Sequence, residues 1–237
     1  MSEPNLQTDP VEEELLPASA DSPVGEVTME EIRMISKPRG AIAEQFRNLR
    51  NSIIALNPDG ASRTVVITSA VKGEGKSVAT VNLALALAEL PGNEVLVLEA
   101  NMHDPSIEGF FGLERRAGLA DVLRGRCALD AAVRRTVHSG VSLVGAGNLP
   151  DNPSRLLGSE RTRVVLNKLK QRYSYVLIDT PEALSISDAS LLGAIADGIL
   201  LVVRLGSTPK SMVEQTNNQL EGLGGNVLGT CITGGVG

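Results

Sequence analysis

The sequence is poor in cysteine and histidine, and it contains no long apolar run. Its two cysteines, Cys127 and Cys231, and its two histidines, His103 and His138, follow no metal-ligand spacing. This usage is typical of reduced thiols in a cytoplasmic protein and excludes a disulfide-rich secreted domain. No apolar stretch approaches the roughly 20 residues that a membrane-spanning helix requires. With 42% hydrophobic and 21% charged residues, the 237-residue chain is expected to form one globular domain.

Lysine and arginine are absent from residues 1–31, which hold nine acidic residues and four prolines. Because the start is acidic, we expect no secretory signal peptide. Because the prolines and scattered Ser and Ala break any apolar period, we predict a disordered acidic tail over 1–31, followed by one domain over 32–237. The tail is interpreted as solvated, with a basic binding partner as the alternative. The net charge of −6 argues against a nucleic-acid partner.

A glycine-bearing loop stands between a predicted strand and a predicted helix. The strand is the β-branched run 63–69, and the helix is 78–89, which contains neither glycine nor proline. This order of elements is the context of a phosphate-binding loop. Alanine replaces the first glycine of the motif in the loop Ala70-Val71-Lys72-Gly73-Glu74-Gly75-Lys76-Ser77.

The residue types of this loop suit nucleotide binding. Glycines permit positive φ and a close approach of the backbone to phosphate oxygens, and the free amides of a helix N-terminus favour an anion. Lys76 would contact the β- and γ-phosphates, and the hydroxyl of Ser77 would coordinate Mg²⁺. The alternative is a glycine-rich turn with a surface lysine. The candidate residues for binding ATP or ADP are Gly73, Glu74, Gly75, Lys76, Ser77 and Val78.

From residue 63 onward apolar strands alternate with helices. This pattern predicts an α/β fold, a P-loop doubly wound sheet of about seven mainly parallel strands. Strands are predicted over 63–69, 94–99, 141–145, 175–179, 198–204 and 226–232. Helices are predicted over 42–56, 78–89, 152–172, 188–196 and 209–223, the last one capped by Thr208. Short helical pieces are expected within 101–140.

The predicted helix over 41–56 has an apolar face and a charged face. The apolar face consists of residues at helical spacing, Ile42, Phe46, Leu49, Ile53 and Leu56. Beside it, Glu44, Arg47 and Arg50 project within an arc of about 120°. Two interpretations of these three charges stay open, a solvated ladder of Glu–Arg pairs and a subunit interface.

Acidic or amide side chains follow two of the predicted strands. Glu99 ends the strand over 94–99 and is followed by Asn101, while Asp179 ends the strand over 175–179. Ligands of an open parallel sheet lie beyond the carboxyl ends of its strands, so these residues are expected near the loop. Asp179 has the form of a Walker B acid that supports Mg²⁺ through water. The alternative is a loop acid or a helix cap.

Together, several segments resemble the cytoplasmic bacterial tyrosine autokinases of capsule and exopolysaccharide systems, which are relatives of the septum-site and partition ATPases. The resemblance extends from about residue 37 to the C-terminus. Segment 43–53 is similar to the family's E-x-x-R-x-x-R helix, 68–77 to its Walker A segment and 176–181 to its Walker B segment. Shorter similarities occur at 111–113, 118–123, 150–154 and 202–204.

The resemblance implies ATP or ADP with Mg²⁺ as cofactors. It implies Lys76, Glu99 and Asp179 as catalytic residues, with Ser77 and Asp179 at the metal. It also implies that Glu44, Arg47 and Arg50 mediate homo-oligomerisation, each arginine facing a carboxylate of the next subunit. The expected location is the cytoplasm, at the inner face of the plasma membrane. The implied partner is a membrane polysaccharide co-polymerase, whose cytoplasmic segment completes or covers the nucleotide site.

The sequence departs from the family at the Walker A′ segment, where Asp-x-Asp-x-Arg is expected. The corresponding residues are Glu99, Asn101 and His103. The extra methylene of Glu99 moves its carboxylate by about an ångström, which is enough to cost ~10²-fold in rate. Asn101 cannot accept a proton, and general-base assistance is typically worth about 10²–10⁴-fold. His103 replaces a permanent positive charge with a side chain type that is mostly neutral at pH 7.

The family's C-terminal tyrosine cluster has no counterpart among these 237 residues, whose two tyrosines, Tyr173 and Tyr175, precede the Walker B segment. Thr233 takes the position of an asparagine that the family often uses for the nucleotide base. We therefore predict a tyrosine-kinase-like, ATP-binding protein of exopolysaccharide or capsule biosynthesis with impaired or absent kinase activity. The alternatives are an active autokinase or ATPase that uses Glu99, and a partition-type ATPase.

Overall fold

The computed structural model describes residues 30–234, which form ten helices and seven strands. The helices are α1 (Arg33–Ser36), α2 (Ala41–Ala55), α3 (Lys76–Ala88), α4 (Ile107–Phe110), α5 (Leu119–Arg124), α6 (Leu129–Ala132), α7 (Pro153–Leu157), α8 (Glu160–Lys170), α9 (Asp188–Gly193) and α10 (Lys210–Gly222). The strands are β1 (Arg63–Ser69), β2 (Val95–Glu99), β3 (Arg134–Arg135), β4 (Val141–Val144), β5 (Tyr175–Asp179), β6 (Gly198–Arg204) and β7 (Val227–Thr233).

All seven strands belong to one sheet, in the order β3-β4-β2-β5-β1-β6-β7. Neighbouring strands are parallel except for β3, which pairs antiparallel with β4. Asp179 on β5 lies opposite Ile67 of β1 on one side and opposite Glu99 of β2 on the other. The loops after β1, β2 and β5 therefore meet at one edge of the sheet. The predicted α/β, doubly wound fold is confirmed.

Helices cover both faces because the central strands are apolar on both faces. Along β2, Val95 and Val97 point into one core, while Leu96 and Leu98 point into the other. The first core lies beneath α2 and α3, and the second lies beneath α5, α8 and α10. Rigid layers on both sides thus hold the loops that form the site.

Several boundaries differ from the sequence prediction. The helix predicted over 152–172 is two helices, α7 and α8, separated by Gly158 and Ser159. The side chain of Asn152 caps α7, as its position before proline suggests, by accepting a hydrogen bond of 3.0 Å from the amide of Arg155. Strand β3 was not predicted, since two arginines carry no apolar pattern.

The predicted acidic tail falls almost entirely outside the described residues, and only Glu30 and Glu31 of it lie within them. The carbonyl of Glu31 accepts a hydrogen bond of 3.2 Å from the side-chain Nδ2 of Asn82 on α3, so the chain is attached to the domain from this point. Between residues 30 and 234, none of the helices combines the length and the apolar character needed to cross a bilayer.

Candidate functional site

The loop between β1 and α3 has the backbone conformation of a phosphate cradle. Gly73 and Gly75 have φ angles of 85° and 87°, in the region that side chains disfavour. A Cβ on Gly73 would meet no atom within 4 Å, so conformation and not crowding requires glycine there. Helix α3 begins directly after the loop, at Lys76, and its first amides have no acceptor within the helix. The loop therefore offers free N–H groups to an anion.

Ser77 and Asp179 connect this loop to the end of β5. The Oγ of Ser77 donates a hydrogen bond of 2.8 Å to Oδ2 of Asp179, and Oγ1 of Thr80 donates one of 3.1 Å to Oδ1. Burial raises the pKa of Asp179 to about 6, against the opposing effects of both hydrogen bonds and the charge of Lys76. Adjacent hydroxyl and carboxylate oxygens are the donors that Mg²⁺ prefers, so Ser77 and Asp179 fit a nucleotide-bound magnesium ion.

Lys76 lies between the loop and this pair. Its side chain is largely buried, which lowers the pKa of its ammonium group, while the nearby Asp179 opposes that effect. Beside it opens a cleft of about 420 Å³. The cleft is lined by the loop, by the segment after β2 and by the segment after β5, that is by Lys72, Gly73, Gly75, Lys76, Ser77, Val78, Asn101, His103, Asp104, Ser106, Phe110, Pro181, Glu182 and Ile186.

Glu74 belongs to the predicted nucleotide-binding set, but its side chain turns away from the cleft. Oε2 accepts a hydrogen bond of 3.1 Å from the amide of Val71, and Oε1 accepts one of 3.0 Å from the amide of Arg204 and another from the hydroxyl of Thr208. Burial alone would raise the pKa of Glu74, but these hydrogen bonds hold it below its ordinary value. Thr208 therefore does not cap α10 as predicted. The carboxylate instead fastens the phosphate loop to β6.

Glu99, the predicted replacement for the first Walker A′ aspartate, is fully buried. Its Oε1 accepts backbone hydrogen bonds from Ser106 and from Ile107, the latter at 2.8 Å, and so anchors the start of α4. Its Oε2 is buried and has no hydrogen-bond partner among residues 30–234. Burial, with the nearby charge of Asp179 as a smaller contribution, raises the pKa of Glu99 to about 7. The carboxyl group is not among the groups that line the cleft.

Asn101 lines the cleft but uses its amide to shape the loop after β2. Its Nδ2 donates to the carbonyl of Asp104 at 3.0 Å, and its Oδ1 accepts from the amide of Asp104 at 3.2 Å. The carboxylate of Asp104 in turn lies 2.7 Å from Nζ of Lys72. This exposed ion pair joins the two sides of the cleft, the phosphate loop and the Walker A′ segment.

His103 forms the other polar contact of this loop. Its Nε2 lies 3.0 Å from Oδ2 of Asp188, a fully buried residue at the start of α9. The second carboxylate oxygen of Asp188 accepts a hydrogen bond from the hydroxyl of Ser154 on α7. These two contacts provide polar partners for the carboxylate of Asp188, whose burial without partners would be costly. It also ties the Walker A′ segment to the helices behind β5.

The charged face of α2 is paired within the chain. Arg47 binds both carboxylate oxygens of Glu89, through Nε at 2.8 Å and Nη2 at 2.6 Å, and Arg50 binds Glu89 through Nη1 at 3.0 Å. These contacts hold the pKa of Glu89 below its ordinary value. Glu44 contacts Arg47 at 3.2 Å but stays 64% exposed. In this structure the arginines fasten α2 to the end of α3, so their carboxylate is supplied by the same chain.

Sequence reasoning missed Thr80, Asp104 and Asp188. Thr80 follows Ser77 by three residues, so helical spacing could have placed both hydroxyls on the face toward β5. Asp188 had no local signal, because its partner His103 is 85 residues away. The structure brings together Lys76, Ser77 and Asp179 as predicted but directs Glu74 and Glu99 elsewhere.

The fold and this site define a P-loop nucleotide-binding protein. Residues 62–223 match the family described as AAA domain, and the chain belongs to it. The septum site-determining protein MinD from Pyrococcus horikoshii OT3, solved as a complex with Mg-ADP, has a similar structure. Its TM-score is 0.62 at 25% identity, covering 71% of this chain and 69% of that chain.

Within this class, the similarity to bacterial tyrosine kinases is greater. Tyrosine-protein kinase YwqD of Bacillus subtilis (strain 168) is 32% identical over 200 residues, which are 84% of this chain and 84% of that protein. The kinase domain of Escherichia coli tyrosine kinase ETK superposes with a TM-score of 0.82 at 28% identity, covering 86% of this chain and 79% of that chain. The protein belongs to the bacterial tyrosine kinase family, and it is a divergent member at Glu99, Asn101 and His103.

Proposed function

We propose that this protein is an ATP-binding, tyrosine-kinase-like subunit of exopolysaccharide or capsule biosynthesis and export, with phosphoryl transfer impaired or lost. It binds ATP or ADP together with Mg²⁺ at the phosphate loop. It acts as a homo-oligomer at the inner face of the plasma membrane, where it is held by a membrane polysaccharide co-polymerase. Membership of the tyrosine kinase family supports this assignment.

The observation that best supports nucleotide binding is the hydrogen bond of 2.8 Å from Ser77 to Asp179, directly beside the glycine-containing loop. Lys76 and the first amides of α3 would bind the β- and γ-phosphates. Ser77 would coordinate the metal directly, and Asp179 would support it through water. A bound Mg²⁺ would neutralise phosphate charge.

The contacts of Glu99 and Asn101 support the loss of activity. A general base must lie within hydrogen-bond reach of the proton that it accepts. Glu99 directs Oε1 at the backbone of α4, and Asn101 is an amide engaged with its own loop. Asn101 therefore has no carboxylate to offer, and the carboxylate of Glu99 does not line the cleft where a substrate hydroxyl would lie.

One observation favours the alternative, an active autokinase or ATPase. The pKa of Glu99 is raised to about 7 by burial, which is the range in which a carboxylate is an efficient base at neutral pH. Activity by this route would require Glu99 to leave the amides of Ser106 and Ile107.

Assembly would use the exposed part of the charged face of α2. Glu44 is the member of the predicted trio that remains open to a neighbouring subunit. If the partnership with a co-polymerase is correct, a gene beside this one should encode a two-span membrane protein with a large periplasmic coiled coil. A purified cytoplasmic segment of that protein should then bind this chain.

Calorimetry with ADP and Mg²⁺ tests the nucleotide assignment. We expect the wild-type protein to bind and Lys76→Ala to lose binding by at least about 100-fold, since a buried cation beside the phosphates is removed. Lys72→Ala is the matched control, because Lys72 is a loop lysine of the same kind that pairs with Asp104 and stays exposed. Its affinity should change by less than about tenfold. Equal affinity of the wild type and Lys76→Ala would refute the site.

A further inference from the structure

Charge is distributed unevenly along the chain. Residues 114–172 contain twelve Lys and Arg against five Asp and Glu, although the whole chain has a net charge of −6. Residues 1–29 contain seven acidic residues and no Lys or Arg. The two stretches therefore carry opposite charges of similar size, +7 and −7.

Five of these cations lie along the seam between α8 and the α5–α6 segment. Nη1 of Arg161 donates a hydrogen bond of 3.1 Å to the carbonyl of Leu123, which places it beside the end of α5. Arg172 pairs with Asp130 at the start of α6. We call this set the basic seam, and it consists of Arg124, Arg126, Arg161, Lys168 and Arg172.

Helix geometry places Arg161 and Lys168 on one side of α8, because seven residues at about 100° per residue return to within about 20° of the same direction. Arg172 lies two residues beyond the end of α8, where it pairs with Asp130. The buried positions of α8, among them Thr162, Val165 and Leu169, occupy the adjoining face. The stripe thus runs beside α5 and α6 at the surface.

Among residues 30–234, only some cations of the basic seam form ion pairs with carboxylates of the domain. Arg172 is paired with Asp130, and the more distant charge of Lys168 also lowers the pKa of that carboxyl group, whereas in the described part of the chain neither Arg126 nor Lys168 forms an ion pair within 4 Å. The arginines of α2 differ, since both are bound to Glu89. The basic seam also does not line the nucleotide cleft, so phosphate binding does not explain it.

We infer that the basic seam is a docking surface for the acidic residues 1–29 of this protein, with the triplet Glu12, Glu13 and Glu14 at its centre. The segment has the complementary charge and no cation of its own. Fifteen residues lie between Glu14 and Glu30, and the sixteen Cα–Cα steps that join the two span at most about 55 Å when extended. The radius of gyration expected for the domain is about 17 Å, so an extended segment of this length reaches surface well beyond its own point of attachment, on the same domain or on an adjacent copy.

Tethering makes such contacts effective. Exposed ion pairs are individually weak and are screened by salt. A tethered segment, however, is present at an effective concentration in the millimolar range, so several weak contacts act together. The docked segment would leave the nucleotide cleft free and would cover a strongly positive surface of the domain.

A native thiol allows a direct test. Cys127 follows Arg126 on the basic seam and is half-buried, whereas Cys231 is buried. In the full chain carrying Glu13→Cys, mild oxidation should trap a disulfide between the introduced thiol and Cys127. Non-reducing electrophoresis separates a closed monomer, in which the segment docks on its own chain, from a dimer, in which it docks on an adjacent copy. Either product supports the inference, and Cys127→Ser should remove both.

The matched control keeps both thiols and reverses the charge of the basic seam. In Glu13→Cys combined with Arg126→Glu and Lys168→Glu, cross-linking should slow at least about fivefold, with unchanged circular dichroism. Sodium chloride at about 1 M should slow the parent variant similarly. Equal rates in the parent and the charge-reversed variant would overturn the inference. Binding of the intact wild type to phosphatidylglycerol vesicles, lost in Arg126→Glu with Lys168→Glu, would also overturn it, because the surface would then serve a lipid headgroup.

Discussion

Glu99 and Asp179 are direct neighbours across β2 and β5, and both carboxyl groups are fully buried. The amide of Ala100 donates a hydrogen bond of 2.9 Å to the carbonyl of Asp179, which fixes this register at the edge of the sheet. Burial raises the pKa of Glu99 to about 7 and that of Asp179 to about 6. Two acids that titrate near neutral pH therefore lie side by side beneath the nucleotide cleft.

Glu99→Gln should change the pH dependence of stability. The pKa of Glu99 is higher in the folded state than its ordinary value of 4.5, so the folded chain holds this proton more tightly. Stability is then highest below pH 4.5 and falls as the pH rises through about 7. Glutamine keeps an Oε1 acceptor for Ser106 and Ile107 but carries no charge. Relative to wild type, the variant should gain on the order of 2 to 3 kcal/mol between pH 5 and pH 8, measured by urea unfolding.

Asp104→Asn is the control for that experiment, because Asp104 is exposed and its pKa is lowered by the hydrogen bond from Lys72. Its stability difference from wild type should not grow between pH 5 and pH 8. A Glu99→Gln difference that stays constant over this range would show that Glu99 titrates normally.

Glu99→Asp combined with Asn101→Asp should restore ATP hydrolysis, while wild type stays near background. The double variant places two carboxylates at the family spacing, and the shorter side chain releases the hold on α4. General-base assistance then contributes about 10²–10⁴-fold. Phosphate release with ATP and Mg²⁺ measures the effect, with Lys76→Ala added to the double variant as the inactive control.

Strong phosphotyrosine formation by the wild-type chain, abolished by Lys76→Ala, would contradict the proposed loss of kinase activity. Tyr175 is a poor acceptor, because it is buried in β5 and its hydroxyl accepts a hydrogen bond of 3.3 Å from Asn57. An inactive double variant, tested with a partner segment present, would place the defect elsewhere, with Ala70, His103 and Thr233 as the next candidates.

Glu74→Ala should weaken nucleotide binding without removing any group from the cleft. The carboxylate accepts hydrogen bonds from the amides of Val71 and Arg204 and from the hydroxyl of Thr208, so its loss leaves three partly buried donors without this acceptor. We expect a loss of about 1–3 kcal/mol in unfolding free energy and a lower ADP affinity. Glu74→Gln keeps one acceptor and should lie between alanine and wild type. Unchanged ADP affinity in a measurably destabilised Glu74→Ala would show that the loop does not depend on this anchor.

Glu89→Ala and Glu44→Ala should separate stability from assembly. Removing Glu89 takes the carboxylate from Arg50 and leaves Arg47 with the exposed Glu44, and we expect a loss of roughly 1–2 kcal/mol in unfolding free energy. Glu44 is exposed, so its loss should cost less than about 0.5 kcal/mol. If the charged face of α2 is an interface, Glu44→Ala should lower the assembled mass in light scattering. An unchanged mass, at concentrations where wild type is oligomeric, would assign this face to intrachain packing alone.

The sequence by itself determined the central strands of the sheet and the phosphate loop. Strands Arg63–Ser69, Tyr175–Asp179 and Gly198–Arg204 have the predicted limits, because a strand buried on both faces is a continuous apolar run bounded by polar residues. The loop was predictable for a related reason. Its glycines and Lys76 are neighbours in the chain, and a strand and a helix on either side fix their geometry.

Only the tertiary structure decided which partners the carboxylates of Glu74, Glu89, Glu99 and Asp188 bind. Glu74 accepts from residues about 130 positions away, Glu89 meets arginines about 40 positions away, and Asp188 meets His103 across 85 positions. Glu99 lies at the expected strand end, yet its carboxylate accepts hydrogen bonds from the amides of Ser106 and Ile107 at the start of α4. Hydrogen-bonding side chains satisfy whichever buried partner the folded chain brings within about 3 Å. Sequence spacing carries no information about a partner that folding alone brings near.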